Sequence, residues 1–194
     1  MITVVPANEV SWEDLQTVLG ERGAPEWCQC QWFKAPSAEF DALDGAERRR
    51  RFGEQTACGT PGAPSTSGLV AFLDGEPAGW CAVEPRTAYP RLRTSRLVWA
   101  GRAEDPEDAS VWAVTCFVTR QGFRRRGIGT ALARAAVEHA RTRGATAVEG
   151  YPLLPRTDRA PGPGELFVGT VGMFEAAGFV EVGRPTPRRA VMRA

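Results

Sequence analysis

Phe117-Val118-Thr119-Arg120-Gln121-Gly122-Phe123-Arg124-Arg125-Arg126-Gly127-Ile128-Gly129-Thr130 is the stretch on which the reading of this chain turns. It begins inside a run from Val111 to Val118 that is nearly all apolar, the pattern of a strand buried on both faces. Beyond it, Ile128, Leu132, Ala136 and Ala140 recur every four residues, with Arg134, Glu138, Arg141 and Arg143 on other faces. That spacing predicts an amphipathic helix from Gly127 to Arg143, closed by Gly144. A buried strand therefore runs through a short arginine- and glycine-rich turn into a helix.

The first turn of a helix leaves backbone N–H groups without partners, and the aligned peptide dipoles add partial positive charge there. Gly127 and Gly129 lack a Cβ and let a ligand approach the backbone, while Arg124, Arg125 and Arg126 add charge. Such a turn can hold a phosphate or pyrophosphate. The same residues also suit tight packing of the helix on a sheet beside a solvated arginine face. The spacing is not Walker A, having no Gly-Lys-Ser/Thr, nor the dinucleotide fingerprint, which needs a third glycine and a downstream acid.

Outward from this centre, Ala145–Gly150 reads as the next strand, making 111–150 a strand–helix–strand unit. Gly68–Leu73, Asp74-Gly75 and Pro77–Val83 read as a β-hairpin, because the central positions of a type I′ turn need positive φ. Between the hairpin and the buried strand, 86–110 is an arginine-, proline- and acid-rich insertion with a short helix around Leu92–Ala100. Residues 2–5 form a short first strand. Ser11 caps a helix to about Leu19, and a second helical stretch runs from Asp44 to about Cys58. The aromatic segment Pro25–Phe33 carries no clear period. Gly59–Ser67 and Pro152–Gly164 read as loops. A short helix over Gly169–Ala177 precedes two strands near Phe179–Val182 and Arg189–Arg193.

The 194 residues are read as a single domain, 1–194, and no internal repeat is present. A net charge of +1 gives no reason to expect nucleic acid or an anionic membrane as partner. Neither a signal peptide nor an apolar run long enough for a membrane helix is visible, so a cytoplasmic location is expected. Five irregularly spaced cysteines do not read as a disulfide framework. Cys28-x-Cys30 without a second pair is weak support for a metal, and none is expected.

Arg124-x-x-Gly127-x-Gly129, after a buried strand and opening an amphipathic helix, resembles the acetyl-CoA signature of the GNAT superfamily of N-acetyltransferases. Phe174-Glu175-Ala176-Ala177-Gly178-Phe179 resembles that family's second motif, in the right order behind it. The resemblance covers most of the chain from Gly68 onward. It implies an α/β (α+β) fold: a central mixed sheet of six to seven strands, flanked by about four helices and splayed at the acetyl-CoA site. Acetyl-CoA is the implied co-substrate. Phe117, Val118 and Thr119 would pair with its pantetheine arm, and Arg124 to Thr130 (with Ile128 and the two glycines) would hold the pyrophosphate. Phe174 would stand beside the cofactor. The gap is expected between 116–119 and 149–152.

The implied activity is direct attack by a primary amine, most simply a small molecule, on the thioester. A protein or peptide amine, or an acyl-CoA sensor without turnover, are the alternatives, and a homodimer is possible. The family's usual acid is a tyrosine four residues before Gly178; here that position is Phe174. Tyr151 is the substitute candidate, against a packing role. Glu149 is the first candidate base and Glu84 the second, because a carboxylate in an apolar strand needs a reason; an arginine partner would supply one without catalysis. Trp12, Trp27, Trp32, Tyr89 and Trp99 suggest an acceptor with an apolar part. His139, far along the long helix, has no assigned role, and Cys116, near the expected thioester, reads as packing.

Overall fold

The computed structural model describes residues 1–154 and 164–194. Seven strands form one sheet in the order β1-β2-β3-β4-β5-β7-β6. They are β1 (Ile2–Pro6), β2 (Gly68–Leu73), β3 (Glu76–Pro85), β4 (Val111–Thr119), β5 (Ala147–Gly150), β6 (Val180–Thr186) and β7 (Arg189–Arg193). Among the described strands, only β4 and β5 run parallel. The connection between them is the long helix, as a parallel pair requires.

The hairpin forms where the sequence places it. Asp74 and Gly75 take φ of 53° and 86°, so both central residues are left-handed, matching the twist of the strands they join. Ser11 accepts a hydrogen bond from the Asp14 amide and starts α1 (Trp12–Leu19). Asp44 does the same from Glu47 for α4 (Gly45–Thr56). Between them, Pro25–Phe33 resolves into a single short helix, α2 (Ala24–Cys28), followed by turns in which Gln29 and Cys30 have φ of 45° and 54°. A further short helix, α3 (Ser37–Ala42), follows. The insertion holds two short helices rather than one, α5 (Pro90–Arg93) and α6 (Arg96–Trp99). The long helix is α7 (Ile128–Arg141), and α8 (Val171–Ala176) is capped by Thr170. Most of the loop expected over Pro152–Gly164 lies outside the described residues.

Two apolar layers sandwich the sheet. On one face Ile128, Leu132, Ala136 and Ala140 of α7 are all buried, the face that the four-residue recurrence marks. Gly79 makes this close approach possible: a Cβ there would stand 2.4 Å from Ile128 Cγ2. On the other face Leu15, Val18, Leu19 and Phe52 pack on Val70, Trp80, Ala82 and Val118. A smaller cluster of Tyr89, Leu92, Val98, Ala113, Tyr151 and Val191 fastens the insertion to the sheet.

Candidate active site

The strand β4 is paired with β3 from Trp112 to Thr119, around one bulge, but with β5 only over Val111–Val114, opposite Ala147–Gly150. Among the described residues, Thr115 to Thr119 have no ladder partner on that side. The sheet forks there. The sequence places Glu149 beside the gap; the structure instead keeps Glu149 and Gly150 inside the ladder, opposite Ala113 and Val114, so the gap opens beyond them. Thr115 is the extra residue of a bulge, since Ala82 faces Cys116 while Val83 faces Val114.

Phe174 fills the crotch of the fork. It is fully buried, edge-on to Phe117 and Phe179 at centroid distances of 5.7 and 4.9 Å. Its ring tip occupies the space a Gly150 side chain would need: a Cβ there would come within 2.2 Å of Cζ. The residue at the family's tyrosine position is thus a wedge between the parting strands, with its tip turned into protein.

At the far end of the open half, the turn is built from left-handed residues, Gly122, Arg125 and Gly127, at φ of 91°, 62° and 79°. Among the described residues, none of the amides from Arg124 to Thr130 finds a backbone acceptor; the first to do so is Ala131, which donates to Gly127 O at 3.0 Å. Arg124, Arg125, Arg126 and Gly127 are exposed, Gly129 and Thr130 half-buried. Ile128, by contrast, is in the core at 2% exposure, so only its backbone is available to a ligand.

A cleft of about 720 Å³ runs from this turn along the open edge of β4. Arg124 and Gly129 line one end, then Thr119, Val118, Phe117 and Cys116; Trp27, Cys28, Cys30 and Trp32 line the other. The aromatic segment is therefore a wall of the cleft. Met173, Gly169, Leu166 and Phe167 close the side where β5 is missing, and sequence reasoning passed over them. Cys30 and Cys116 meet across the cleft floor with their sulfurs 3.5 Å apart, and Trp80 Nε1 donates to Cys30 Sγ at 3.0 Å. The hydrogen bond with Cys116, then burial, holds the Cys30 thiol well above its ordinary pKa. Burial likewise lifts Cys28 to about 11, so both stay protonated near neutrality.

Glu149 and Tyr151 lie elsewhere. They share a face of the chain, and the Tyr151 hydroxyl donates to Glu149 Oε2 at 2.8 Å. Arg86 Nη1 approaches the same oxygen at 3.3 Å, and Arg102 Nη2 reaches Oε1 at 2.5 Å. Arg193 Nε adds a third guanidinium at 3.1 Å. Glu104, bonded to Arg102 and Arg193 at 2.7 and 2.6 Å, completes the cluster. Burial pushes the Glu149 carboxyl up, but the hydrogen bonds from Arg102 and Arg193 outweigh it and hold it below the ordinary range. A carboxylate so satisfied is a weak proton acceptor. Neither it nor Tyr151, driven well above pKa 10 by burial and by Glu149, lines the cleft.

Glu84 differs. By strand alternation it shares the face of Trp80 and Ala82, the side of the sheet that carries Cys30 and Cys116. It is ion-paired to Lys34, the only lysine, and its side chain is 18% exposed. Burial raises its pKa, and Lys34 only partly offsets the rise.

A sheet forked at the end of its one parallel pair, with a glycine–arginine turn opening a helix beside the fork, defines an acyltransferase architecture. The acetyltransferase (GNAT) family model matches residues 25–151, well over half the chain, and the chain belongs to that family. The family uses acyl-CoA. Among solved structures, an N-acetyltransferase from Staphylococcus aureus Mu50 is 11% identical, with TM-score 0.55 over 100% of this chain and 98% of that one. The PaiA N-acetyltransferase of Thermoplasma acidophilum in complex with coenzyme A is 13% identical (TM-score 0.51, 100% and 98% covered). Aminoglycoside acetyltransferase AAC(6')-Ib in complex with coenzyme A and kanamycin is 21% identical (TM-score 0.51, 100% and 94% covered). At these identities the likeness is one of fold. A search of curated proteins gives no match.

Proposed function

We propose that this chain transfers an acetyl group from acetyl-CoA to the primary amine of a small molecule. One observation carries the reading: the unpaired edge of β4 joins acceptor-free amides at one end to a tryptophan-lined chamber at the other, within a single cleft. The residues present fit the donor. Backbone groups of Phe117, Val118 and Thr119 lie open to a pantetheine arm, which would pair as an added strand. The amides from Arg125 to Thr130, with Arg124 beside them, would hold the pyrophosphate.

Acetyl-CoA, when bound, supplies an activated acyl carbonyl. The chain's own part is to align two reactants in a narrow cleft and keep water out, which alone lowers a bimolecular barrier substantially. Among the described residues lining the cleft there is no carboxylate and no tyrosine. Glu84 is a carboxylate on the same face of the sheet, and its raised pKa suits proton acceptance from an ammonium through intervening water. Glu149 and Tyr151 act as structure.

The missing hydroxyl at Phe174 and the lack of an acid among the described residues lining the cleft favour a second reading, an acyl-CoA sensor. Calorimetry with CoA and thiol release across an amine library separate the two. Transfer requires CoA binding together with turnover of some amine; tight CoA binding with no turnover makes the chain a sensor. Glu84→Gln should lower kcat/KM about a hundredfold. Because a raised pKa must be exceeded before the base is free, the wild-type acidic limb should also vanish in that variant. Unchanged profiles would remove Glu84 from the reaction.

A further inference from the structure

The chamber end of the cleft is walled by Trp27 and Trp32, which remain 52% and 39% exposed. Two indoles open to a cleft leave a large apolar area for a ligand to cover. Both rings are held from behind. Phe40 meets each edge-on at 5.3 Å. The Arg48 guanidinium lies 4.2 Å from the centre of Trp27, and that of Arg91 lies 3.9 Å from Trp32. Arg48 donates to the carbonyls of Trp27 and Phe40, and Arg91 to that of Ala35. Among the described residues, neither cation has a carboxylate at ion-pair distance.

An indole attracts a cation through the negative face of its quadrupole. Here a guanidinium already draws on each ring, and a second cation on the open face would be repelled by the first through the thickness of the ring. The open faces are therefore suited to a neutral aromatic or apolar body. Cys30, on the same wall as the tryptophans, touches Cys116 of the open edge of β4, so a ring on this wall can extend an amine toward that edge.

We propose that the acceptor is a primary amine carried on a short chain from a neutral aromatic ring that packs on Trp27 and Trp32, and that polycationic amines are excluded. This rests on the acetyl-transfer reading above. The test gives the whole chain acetyl-CoA with 2-phenylethylamine, tryptamine or kanamycin, following thiol release, with CoA binding measured separately by calorimetry. The arylalkylamines should exceed kanamycin by about tenfold or more in kcat/KM. Trp27→Ala and Trp32→Ala should each raise KM for 2-phenylethylamine about tenfold, the size of a lost aromatic contact, while kcat moves little. Trp32→Phe should restore most of the affinity. Retained CoA binding shows that each variant is folded. Preference for kanamycin, no turnover of either arylalkylamine, or a KM unmoved in variants that bind CoA overturns the proposal while leaving acetyl transfer to another amine standing. Failure to bind CoA at all defeats the transfer reading itself, and this one with it.

Discussion

The two halves of β4 are treated in opposite ways by the rest of the chain. Over Trp112–Val114 the strand is paired on both sides, and beside it the carboxylate of Glu149 is surrounded by Arg86, Arg102 and Arg193. Over Thr115–Thr119 the β5 side is bare, and the described residues around it are aromatic, aliphatic or thiol-bearing apart from Arg124 and a few small polar groups. Ionised groups are spent where the strands are zipped. Where they part, the chain offers backbone instead. The arginine-bound acid of β5 is thus a marker of the closed half.

The largest effect should come from the closed half. Glu149→Gln leaves three guanidinium groups with Glu104 as their remaining anion, a loss on the order of 3 kcal/mol in chemical denaturation. CoA affinity of the folded variant should be unchanged. The sign with pH follows from the lowered carboxyl pKa: wild-type stability from this group is complete above its ordinary value of 4.5 and drains away as pH falls below it. The variant's curve should be flatter there. Lost CoA affinity at full stability would place Glu149 at the site after all.

An intermediate effect belongs to the open half. A side chain at Gly127 meets open space, its nearest neighbour being Ile2 Cδ1 at 3.9 Å, but the residue sits at φ 79°. Gly127→Val forces a β-branched residue into the left-handed region at a cost of about 1–2 kcal/mol. The expected readout is CoA affinity about tenfold weaker by calorimetry. Equal affinity would mean that the pyrophosphate does not use this turn. The smallest effect is expected at the crotch. Phe174→Tyr adds an oxygen to a ring tip that already abuts Gly150, so stability should fall by about 1 kcal/mol through overpacking, with no gain in turnover. A rise in kcat would show that the position can still serve as an acid.

Local signals made much of this legible. Asp74-Gly75, Ser11, Asp44 and the four-residue recurrence from Ile128 act through neighbours within one turn, so their outcome is written beside them in the chain. The order of strands about the glycine–arginine turn followed from the same segments. Glu149 was not legible because its partners lie 63, 47 and 44 residues away, among many arginines of equal standing. The aromatic segment hid a helix of five residues, Ala24–Cys28, too short for any period to declare itself. Arg48 could have been found: with Phe52 and Thr56 it keeps a four-residue spacing along the buried side of α4. An arginine run reads as solvated unless its register against the apolar residues is checked.

The seam that joins the two parts of the sheet is narrow. β5 contributes four pairs with β4 and two with β7, the latter extended by mutual backbone bonds between Val148 and Ala194. From that seam β4 runs on through Thr119 held by β3 alone, about 17 Å at the usual rise of a strand, and a tilt of about 5° at its root would carry the tip by about 1.5 Å. Reactants must be held to well within that distance for alignment to matter. The guanidinium cluster ties Arg193 of β7 to Glu149 of β5 at that pivot, a brace that stands clear of the slot itself.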